Sequence, residues 1–165
     1  MRVPHGNLLQ RFAKVEADTA VYVPPKSAAL TYGTLTWVRA NIVQQARTVL
    51  MRATTIAIRY CAIRRQFADR DAPKFSEDGK QIETQVLDYT MVQYRVLPIL
   101  ATAFAYHYTA KFMYDLYEAN MKNLQSNDLS LLADTHASSS GLKSLCTITA
   151  AGAIEKCRRA CGGHG

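Results

Sequence analysis

The stretch from Thr34 to Phe67 contains neither glycine nor proline, and apolar residues recur in it every seven positions. A sustained seven-residue apolar repeat is typical of a helix that packs lengthwise against other helices. Arginines occupy the other faces, and nothing in the stretch interrupts a helix. The sequence therefore predicts one long amphipathic helix here. The repeat consists of Leu35, Ile42, Val49, Ile56 and Ile63, with a companion seam of Ala46, Ala53, Tyr60 and Phe67.

Two further helical patterns follow. Apolar residues keep a helical period from about Ile82 to Leu124, although Pro98 should bend or split that helix. The turn Gln125–Asp128 then predicts an N-cap for a third helix from about Leu129 to Ala160. Between the first two helices, the polar segment Ala68–Gly79 predicts a loop.

Residues 1–30 have a different character. They carry short β-like runs at Leu8–Leu9 and Ala20–Val23, the second ended by Pro24–Pro25. Two strands do not make a stable sheet alone, so this segment is expected to be the remnant of a β domain. Residues 31–165 form the predicted helical domain. The predicted fold class is all-α, an incomplete bundle of three long helices, and because such bundles usually close with a fourth helix, a truncated chain is expected.

Composition narrows the possible partners. The 48% of apolar and 20% of charged residues are typical of a globular domain, and no apolar run is long enough to predict a membrane span. The net charge of +7 favours a ligand that carries phosphate. The basic residues are scattered along helical stretches without an RNA-binding signature, so nucleic acid is not the predicted partner.

The cysteines indicate reduced thiols in an intracellular protein, since four are few for this length. Cys157 and Cys161 stand one helical turn apart, a spacing that suits metal ligation. No second Cys or His pair completes a tetrahedral set, so we predict packed thiols and no metal site.

The segment Tyr60–Phe67, which reads YCAIRRQF, ends the first predicted helix and resembles the flavin-contacting signature of acyl-CoA dehydrogenases and oxidases. The resemblance implies that Arg64 and Phe67, with Gln66 between them, contact the FAD of a neighbouring subunit. A guanidinium at a helix end can hold a diphosphate, and an aromatic ring can pack on a planar group. Taken alone, the segment would also suit a solvated helix end.

The segment Glu83–Tyr89 resembles the opening of the next helix in the oxidase branch of that family. The resemblance implies that Thr84 and Gln85 contact FAD. An ordinary polar first turn of a helix is the alternative.

The segments His136–Lys143 and Glu155–Gly165 also resemble acyl-CoA oxidases, and the second ends in the most specific motif of the chain, CGGHG. Glycines let backbone N–H groups approach a flavin or a phosphate, and the resemblance implies FAD contacts for Cys161, Gly162 and Gly163. The alternative is a glycine C-cap, and His164 is expected to be a structural hydrogen-bonding element.

The amino end agrees with this resemblance. Val3–Val15 resembles the end of the family's middle β domain, and Tyr32–Thr34 resembles the entry to its helices. Gly6, Ala68 and the loop at Arg70–Asp71 depart from the family pattern and indicate a divergent member.

The resemblance implies a fragment of a peroxisomal fatty acyl-CoA oxidase, homodimeric in its full-length form. Such enzymes remove the α-proton of the acyl-CoA with a Glu while the β-hydride passes to FAD, which gives trans-2-enoyl-CoA, and O2 is then reduced to H2O2. That Glu is expected beyond Gly165, so no catalytic residue is assigned and the chain alone is expected to be inactive. Glu118 and Glu155 are expected at the surface, and Arg39 either orients substrate or is a solvated helix charge.

Two alternatives stay open. One is an acyl-CoA dehydrogenase that passes electrons to a protein acceptor. The oxidase-like sequence of Glu83–Tyr89 disfavours this alternative. The other is a non-catalytic helical module for dimerisation or nucleotide binding, which the seven-residue repeat would also permit.

Overall fold

The computed structural model describes residues 2–165, apart from the side chains of residues 28–29 and 32–34. The predicted family entry at Tyr32–Thr34 therefore lies outside the described side chains. Three long helices dominate the structure, as the sequence predicts: α1, Ala28–Ile63; α2, Thr90–Gln125; and α3, Leu132–Ala160. Within the described part of the chain, none of these helices has both the length and the apolar character to cross a membrane.

Helices α1 and α3 run parallel. Arg39, early on α1, donates to His136, early on α3, whereas Tyr60, late on α1, contacts His164 just past the end of α3. Because both pairs keep the same order along the chain, the two helices point the same way.

Helix α2 runs antiparallel to α1. Tyr114 donates to Asn41 and Arg47 donates to His107, so the position on α2 falls as the position on α1 rises. The predicted up-down-up arrangement of three helices is therefore confirmed.

Helix α1 begins before the predicted start at Thr34 and ends before the predicted end at Phe67, since it spans Ala28–Ile63. Beyond it, the Gln66 N–H donates to the Thr84 carbonyl, a bond to a distant segment that replaces the helical one. Phe67 then has a φ of 59° in the left-handed region, which ends any helix.

Helix α2 begins at Thr90, so the prediction of a start at Ile82 is wrong. Instead, a hairpin joins two short strands that pair antiparallel, here β3, Lys74–Phe75, and β4, Gln81–Ile82. A 3-10 turn at Val86–Asp88 leads into the helix. Ile82, which the apolar period assigns to the helix, therefore lies in the β3–β4 hairpin instead.

Pro98 lies inside α2 without splitting it. A proline removes one N–H donor from the helical ladder. The carbonyl left without that donor belongs to Tyr94, whose residue is 76% exposed, so water can reach it. Of the two predicted effects of Pro98, a bend or a split, the split does not occur, and the bend stays a prediction.

The start of α3 also differs from the prediction, since its N-cap is Leu131 and no side chain caps it. Asp128 accepts a hydrogen bond from the Ser130 N–H at 2.9 Å and shapes the preceding turn instead. The predicted N-cap in Gln125–Asp128 is wrong because the turn uses that carboxylate.

The amino-terminal segment contains one two-residue ladder, between β1, Lys14–Val15, and β2, Tyr22–Val23, which pair antiparallel. The run Ala20–Val23 was thus correctly predicted to hold a strand. Leu8–Leu9 forms none, and Leu9 is fully exposed.

The core lies between α1, α2 and α3, and the predicted seam of α1 is only partly in it. The exposed fraction reaches 65% at Ile56 and 81% at Ile63. The buried residues follow the same seven-residue period one position further along, at Val43, Leu50 and Ala57. Facing them on α3 are small side chains, which allow the two helices to approach closely. Those facing residues are Cys146, Ala150, Ala153 and Cys157.

Candidate cofactor pocket

A cavity of about 300 Å³ lies where three separate segments meet: the end of α1, the 3-10 turn before α2 and the glycine-rich turn after α3. Each of these segments belongs to one of the motif blocks found in the sequence. The structure therefore brings together residues that lie about a hundred positions apart in the chain. The lining residues are Tyr60, Arg64, Gln66, Val86, Arg159, Ala160, Cys161, Gly162, Gly163 and His164.

Backbone hydrogen bonds tie the first two segments together. The Gln66 N–H donates to the Thr84 carbonyl at 2.9 Å, and the Thr84 N–H returns a bond to Phe67 at 2.7 Å. The Val86 N–H donates to the Arg64 carbonyl at 2.8 Å. This short antiparallel ladder fixes the chain on both sides of Arg64, so the position of its side chain does not depend on the helix alone.

The Tyr89 hydroxyl strengthens the same junction by donating to the Gln66 carbonyl at 2.7 Å. The Arg65 guanidinium donates to the Glu83 carbonyl at 3.1 Å. Arg65 thus stabilises the ladder from outside, whereas Arg64 remains directed to the pocket. Neighbouring arginines in one motif therefore have different partners.

The two arginines that line the pocket, Arg64 and Arg159, are cationic. In the part of the chain that the structure describes, the Arg64 guanidinium has no hydrogen-bond or ion-pair partner, and no Asp or Glu lines the cavity. Arg159 donates from Nε to Glu155 at 2.8 Å and keeps its other N–H groups. Two guanidinium groups of this kind suit a bound anion with oxygen acceptors, such as a diphosphate.

Glu155 holds the neighbouring arginines in place. Arg158 donates to both carboxylate oxygens of Glu155, at 2.8 and 2.9 Å. The hydrogen bonds from Arg158, and after them those from Arg159, lower the pKa of Glu155 to about 2. The carboxylate therefore stays ionised at neutral pH and orients Arg159 beside the pocket.

The turn after α3 depends on two glycines. Gly162 has a φ of 63°, a conformation that side chains disfavour. A Cβ atom on Gly165 would collide with the Arg158 carbonyl. Gly162 and Gly163 line the pocket without side chains, so a ligand can approach their backbone atoms closely.

His164 and Tyr60 close one side of the pocket. The Tyr60 oxygen lies 3.2 Å from His164 Nδ1, and the two ring centroids are 5.7 Å apart at an interplanar angle of 39°. This contact joins the end of α1 to the turn after α3.

Three buried thiols form the inner side of this junction: Cys61, Cys157 and Cys161. The Cys61 Sγ lies 3.7 Å from the Ala160 carbonyl. Desolvation by burial raises the pKa of each thiol, so the neutral form dominates and these groups pack as small apolar side chains. Among the described residues, no group of three or more His, Cys, Asp or Glu side chains could hold a metal ion.

Of the eight residues that the sequence predicted to bind cofactor, five line the cavity: Arg64, Gln66, Cys161, Gly162 and Gly163. Phe67 follows the lining residue Gln66, is 70% exposed and has a left-handed backbone conformation. Thr84 and Gln85 support the cavity through the backbone ladder.

Arg39 is not brought to the cavity. It lies about 37 Å along α1 from Arg64, at about 1.5 Å per residue. Its Nη1 donates to His136 Nδ1 at 3.2 Å, across the α1–α3 contact. In this structure Arg39 joins two helices.

Sequence reasoning missed Tyr60, Val86, Arg159 and Ala160 as lining residues, and it gave His164 a structural role only. Tyr60 lies one helical turn before Arg64, and Arg159 lies one turn before Gly162, so helical spacing from the motif residues could have found both. Val86 follows Gln85 directly, and only the ladder to Arg64 reveals its position.

A larger groove of about 660 Å³ runs between α2 and α3 and shares Arg159 with the pocket. Apolar residues such as Ile99 and Ile148 form its walls. Arg95 and Lys156 add two more cations at the end nearer Arg159.

Comparisons with known proteins identify the family. The family model for the acyl-CoA oxidase C-alpha1 domain matches residues 32–165. Peroxisomal acyl-coenzyme A oxidase 1 of Rattus norvegicus is 42% identical over 164 residues, which are 99% of this chain and 23% of that protein. The chain thus spans about a quarter of the length of such relatives.

Solved structures agree with the sequence comparison. Acyl-CoA oxidase 1 of Arabidopsis thaliana matches with a TM-score of 0.81 and 41% identity, over 99% of this chain and 24% of that one. Acyl-CoA oxidase-2 of Caenorhabditis elegans, solved with FAD, ascaroside-CoA and ATP, matches with a TM-score of 0.84 and 40% identity, over 99% of this chain and 23% of that one. This chain belongs to the acyl-CoA oxidase family.

Proposed function

We propose that this chain is the FAD-contacting helical part of a peroxisomal fatty acyl-CoA oxidase, which converts acyl-CoA to trans-2-enoyl-CoA and reduces O2 to H2O2. The observation that carries the proposal is the pocket that Arg64, whose guanidinium has no partner among the described residues, lines together with the turn at Gly162–Gly163. The family match over residues 32–165 supports the assignment of that pocket to a flavin cofactor. The relatives named as peroxisomal support the location.

The pocket fits part of FAD. Its cavity of about 300 Å³ is suited to the diphosphate and an adjoining group rather than to the whole cofactor. Arg64 and Arg159 supply positive charge, and the glycines leave room for backbone contact. The exposed ring of Phe67 and the junction at Thr84 and Gln85 extend the contact surface, as the family resemblance implies.

Bound FAD supplies the electron acceptor for hydride removal from the acyl chain. The residues of this chain hold and orient the cofactor, and we propose no catalytic base among them. Glu155 is engaged by two arginines, and Glu118 is exposed on α2. A carboxylate from elsewhere in the enzyme therefore performs the proton abstraction that the reaction requires.

We also propose that residues 1–30 belong to the edge of a β domain and that residues 31–165 form the helical domain. The family match that begins at residue 32 supports this division. The small ladder β1–β2 supports it too, since a two-residue pair requires further strands for stability. A homodimer completes the proposal, in which one subunit contributes this pocket to the cofactor of the other.

Arg64→Ala in the complete gene product tests the pocket. Arg59→Ala is the matched control, because Arg59 is exposed on the same helix and lies outside the pocket. Loss of one charge-assisted hydrogen bond should cost roughly 1.5–3 kcal/mol, or about 10- to 150-fold in FAD affinity. Flavin content and the dissociation constant are measured on both purified variants, and equal affinities would contradict the assignment.

The activity is tested separately. The complete gene product, with FAD, O2 and a fatty acyl-CoA, should form enoyl-CoA and H2O2 in equal amounts. Enoyl-CoA formation that requires a protein electron acceptor and yields no peroxide would instead support a dehydrogenase. Residues 1–165 alone should give no turnover above the protein-free blank.

A further inference from the structure

We propose that Tyr60 holds His164 in the tautomer protonated at Nε2, so that His164 presents a neutral N–H donor to an oxygen atom of the cofactor. The ligand half of this inference rests on the proposed function. The tautomer half rests only on the geometry of the two side chains. It makes Tyr60 a positioning residue and His164 a binding residue of the pocket.

The contact itself is well defined. The Tyr60 oxygen and His164 Nδ1 are 3.2 Å apart, within hydrogen-bond distance. Tyr60 is half-buried against the core, whereas His164 is exposed in a turn flanked by glycines. Among the described residues, this is the only side-chain hydrogen bond of His164. The hydroxyl of a fixed residue therefore sets the orientation of an otherwise free ring.

The direction of the hydrogen bond follows from the donors available. A phenol has one hydrogen to donate, and within residues 2–165 Nδ1 of His164 is the acceptor in reach of the Tyr60 hydroxyl. If Nδ1 carried the proton, the hydroxyl oxygen would be the acceptor instead, but a phenol O–H is a stronger donor than an imidazole N–H, and an imidazole nitrogen is a stronger acceptor than a phenol oxygen. Tyr60 therefore donates, and neutral His164 carries its proton on Nε2.

A neutral donor suits this pocket. Arg64 and Arg159 already provide the positive charge of the pocket. A neutral N–H instead adds a directional hydrogen bond to an oxygen that the guanidinium groups attract. Nε2 lies on the ring edge away from Nδ1, so contact with Tyr60 leaves the donor free for a ligand.

Tyr60→Phe removes the hydroxyl and keeps the ring that packs on the core. Tyr108→Phe is the control, because Tyr108 also lies beside a histidine, His107, but on α2 outside the pocket. The first measurement is the imidazole ¹⁵N chemical shifts of the apoprotein, labelled at histidine, with the His164 signals assigned by their loss in His164→Gln. We expect Nδ1 unprotonated and Nε2 protonated in the wild type and in Tyr108→Phe, and exchange between tautomers in Tyr60→Phe.

The second measurement is the FAD dissociation constant of the complete gene product. Tyr60→Phe should weaken FAD binding by about 3- to 10-fold, the range for one neutral hydrogen bond, and Tyr108→Phe should leave it unchanged. His164→Gln supplies an amide N–H donor, and the presence of that donor does not depend on a hydrogen bond from Tyr60. Adding Tyr60→Phe to His164→Gln should therefore have no further effect on FAD affinity.

The outcomes separate the two proposals. A wild-type His164 protonated at Nδ1 overturns the inference, even if Tyr60→Phe fails to fold. A tautomer shift in Tyr60→Phe with unchanged FAD affinity overturns its ligand half. Failure of the wild-type protein to bind FAD overturns the proposed function, while the ¹⁵N shifts still decide the role of Tyr60.

Discussion

The two apolar faces of α1 differ in burial. The face that meets α3 carries Val43, Leu50 and Ala57, all of which are buried. The neighbouring face carries Ile56 and Ile63, both exposed. Both faces repeat every seven residues. The periodicity therefore indicates a packed helix, and only the packing against the other helices reveals which face is buried.

Helix α2 repeats the same contrast. Ala103 and Ala110 are buried, whereas Phe104, Tyr108 and Phe112 are more than half exposed. Large apolar side chains in such numbers on the surface are characteristic of contact surfaces. The outer faces of α1 and α2 thus support the proposed assembly of this chain with further domains or a second subunit.

Removing a side chain from each face of α1 tests the comparison most strongly. Leu50→Ala should destabilise the protein by about 2–5 kcal/mol, because Leu50 is fully buried and its loss leaves a cavity. Ile56→Ala should cost well under half as much in the monomer, since Ile56 is largely exposed. Denaturant unfolding of both variants measures the difference. Similar costs would show that the outer face is as tightly packed as the inner one.

Enlarging a small residue of the inner face gives the next largest effect. Ala57→Leu should cost about 1–3 kcal/mol, because Ala57 is 1% exposed between closely packed helices. Ala101→Leu on α2 is the control, since Ala101 is exposed and a leucine there meets solvent. Thermal unfolding compares the two. If Ala57→Leu were neutral, the inner face would not be closely packed.

The sequence predicted the number, order and type of the long helices because their apolar periods are strong. It failed at Ile82, where an apolar pattern belongs to a β-hairpin held by pairing with Lys74–Phe75. It also failed at Asp128, whose carboxylate bonds within a turn. In both places a contact that local propensity does not encode decided the outcome.

The candidate site was predictable where residues lie in a recognisable motif, as with Arg64 and Gly162. Tyr60 was not assigned to the site, because its role depends on His164, about a hundred residues later in the chain. Arg39 was singled out by its charge, and its partner His136 could be seen only once α1 and α3 were known to be parallel. Motifs thus indicate positions, and the packing of helices determines pairs.

The hydrogen bond between Arg47 of α1 and His107 of α2 offers a further test of how α1 packs. Its Nη1 donates to His107 at 3.0 Å, while its buried Nε has no partner in the described structure. His107→Ala should cost about 1 kcal/mol by removing that acceptor. In an Arg47→Met background, His107→Ala should cost nothing, because no donor remains. A double-mutant cycle in denaturant measures the coupling, and additive effects would show that the pair contributes none.

The smallest effect is expected on the exposed side of α3, at Glu155. Its side chain is 43% exposed, and those of Arg158 and Arg159 are 51% and 73% exposed, so water and salt screen the ion pairs. Hydrogen bonds from Arg158 and Arg159 lower the pKa of Glu155 from 4.5 to about 2. A carboxyl group whose pKa is lower in the folded state stabilises that state above its unfolded pKa. This stabilisation is therefore complete above about pH 4.5 and is lost as the pH falls towards 2.

The unfolding free energy of the wild type should exceed that of Glu155→Gln at pH 6, and the difference should shrink below pH 4.5 and in high salt. Asp134→Asn is the control, because Asp134 is exposed on the same helix and makes no ion pair among the described residues. A cost for Glu155→Gln equal to that of Leu50→Ala, or one independent of pH, would show that this outer network is as important to stability as the inner seam.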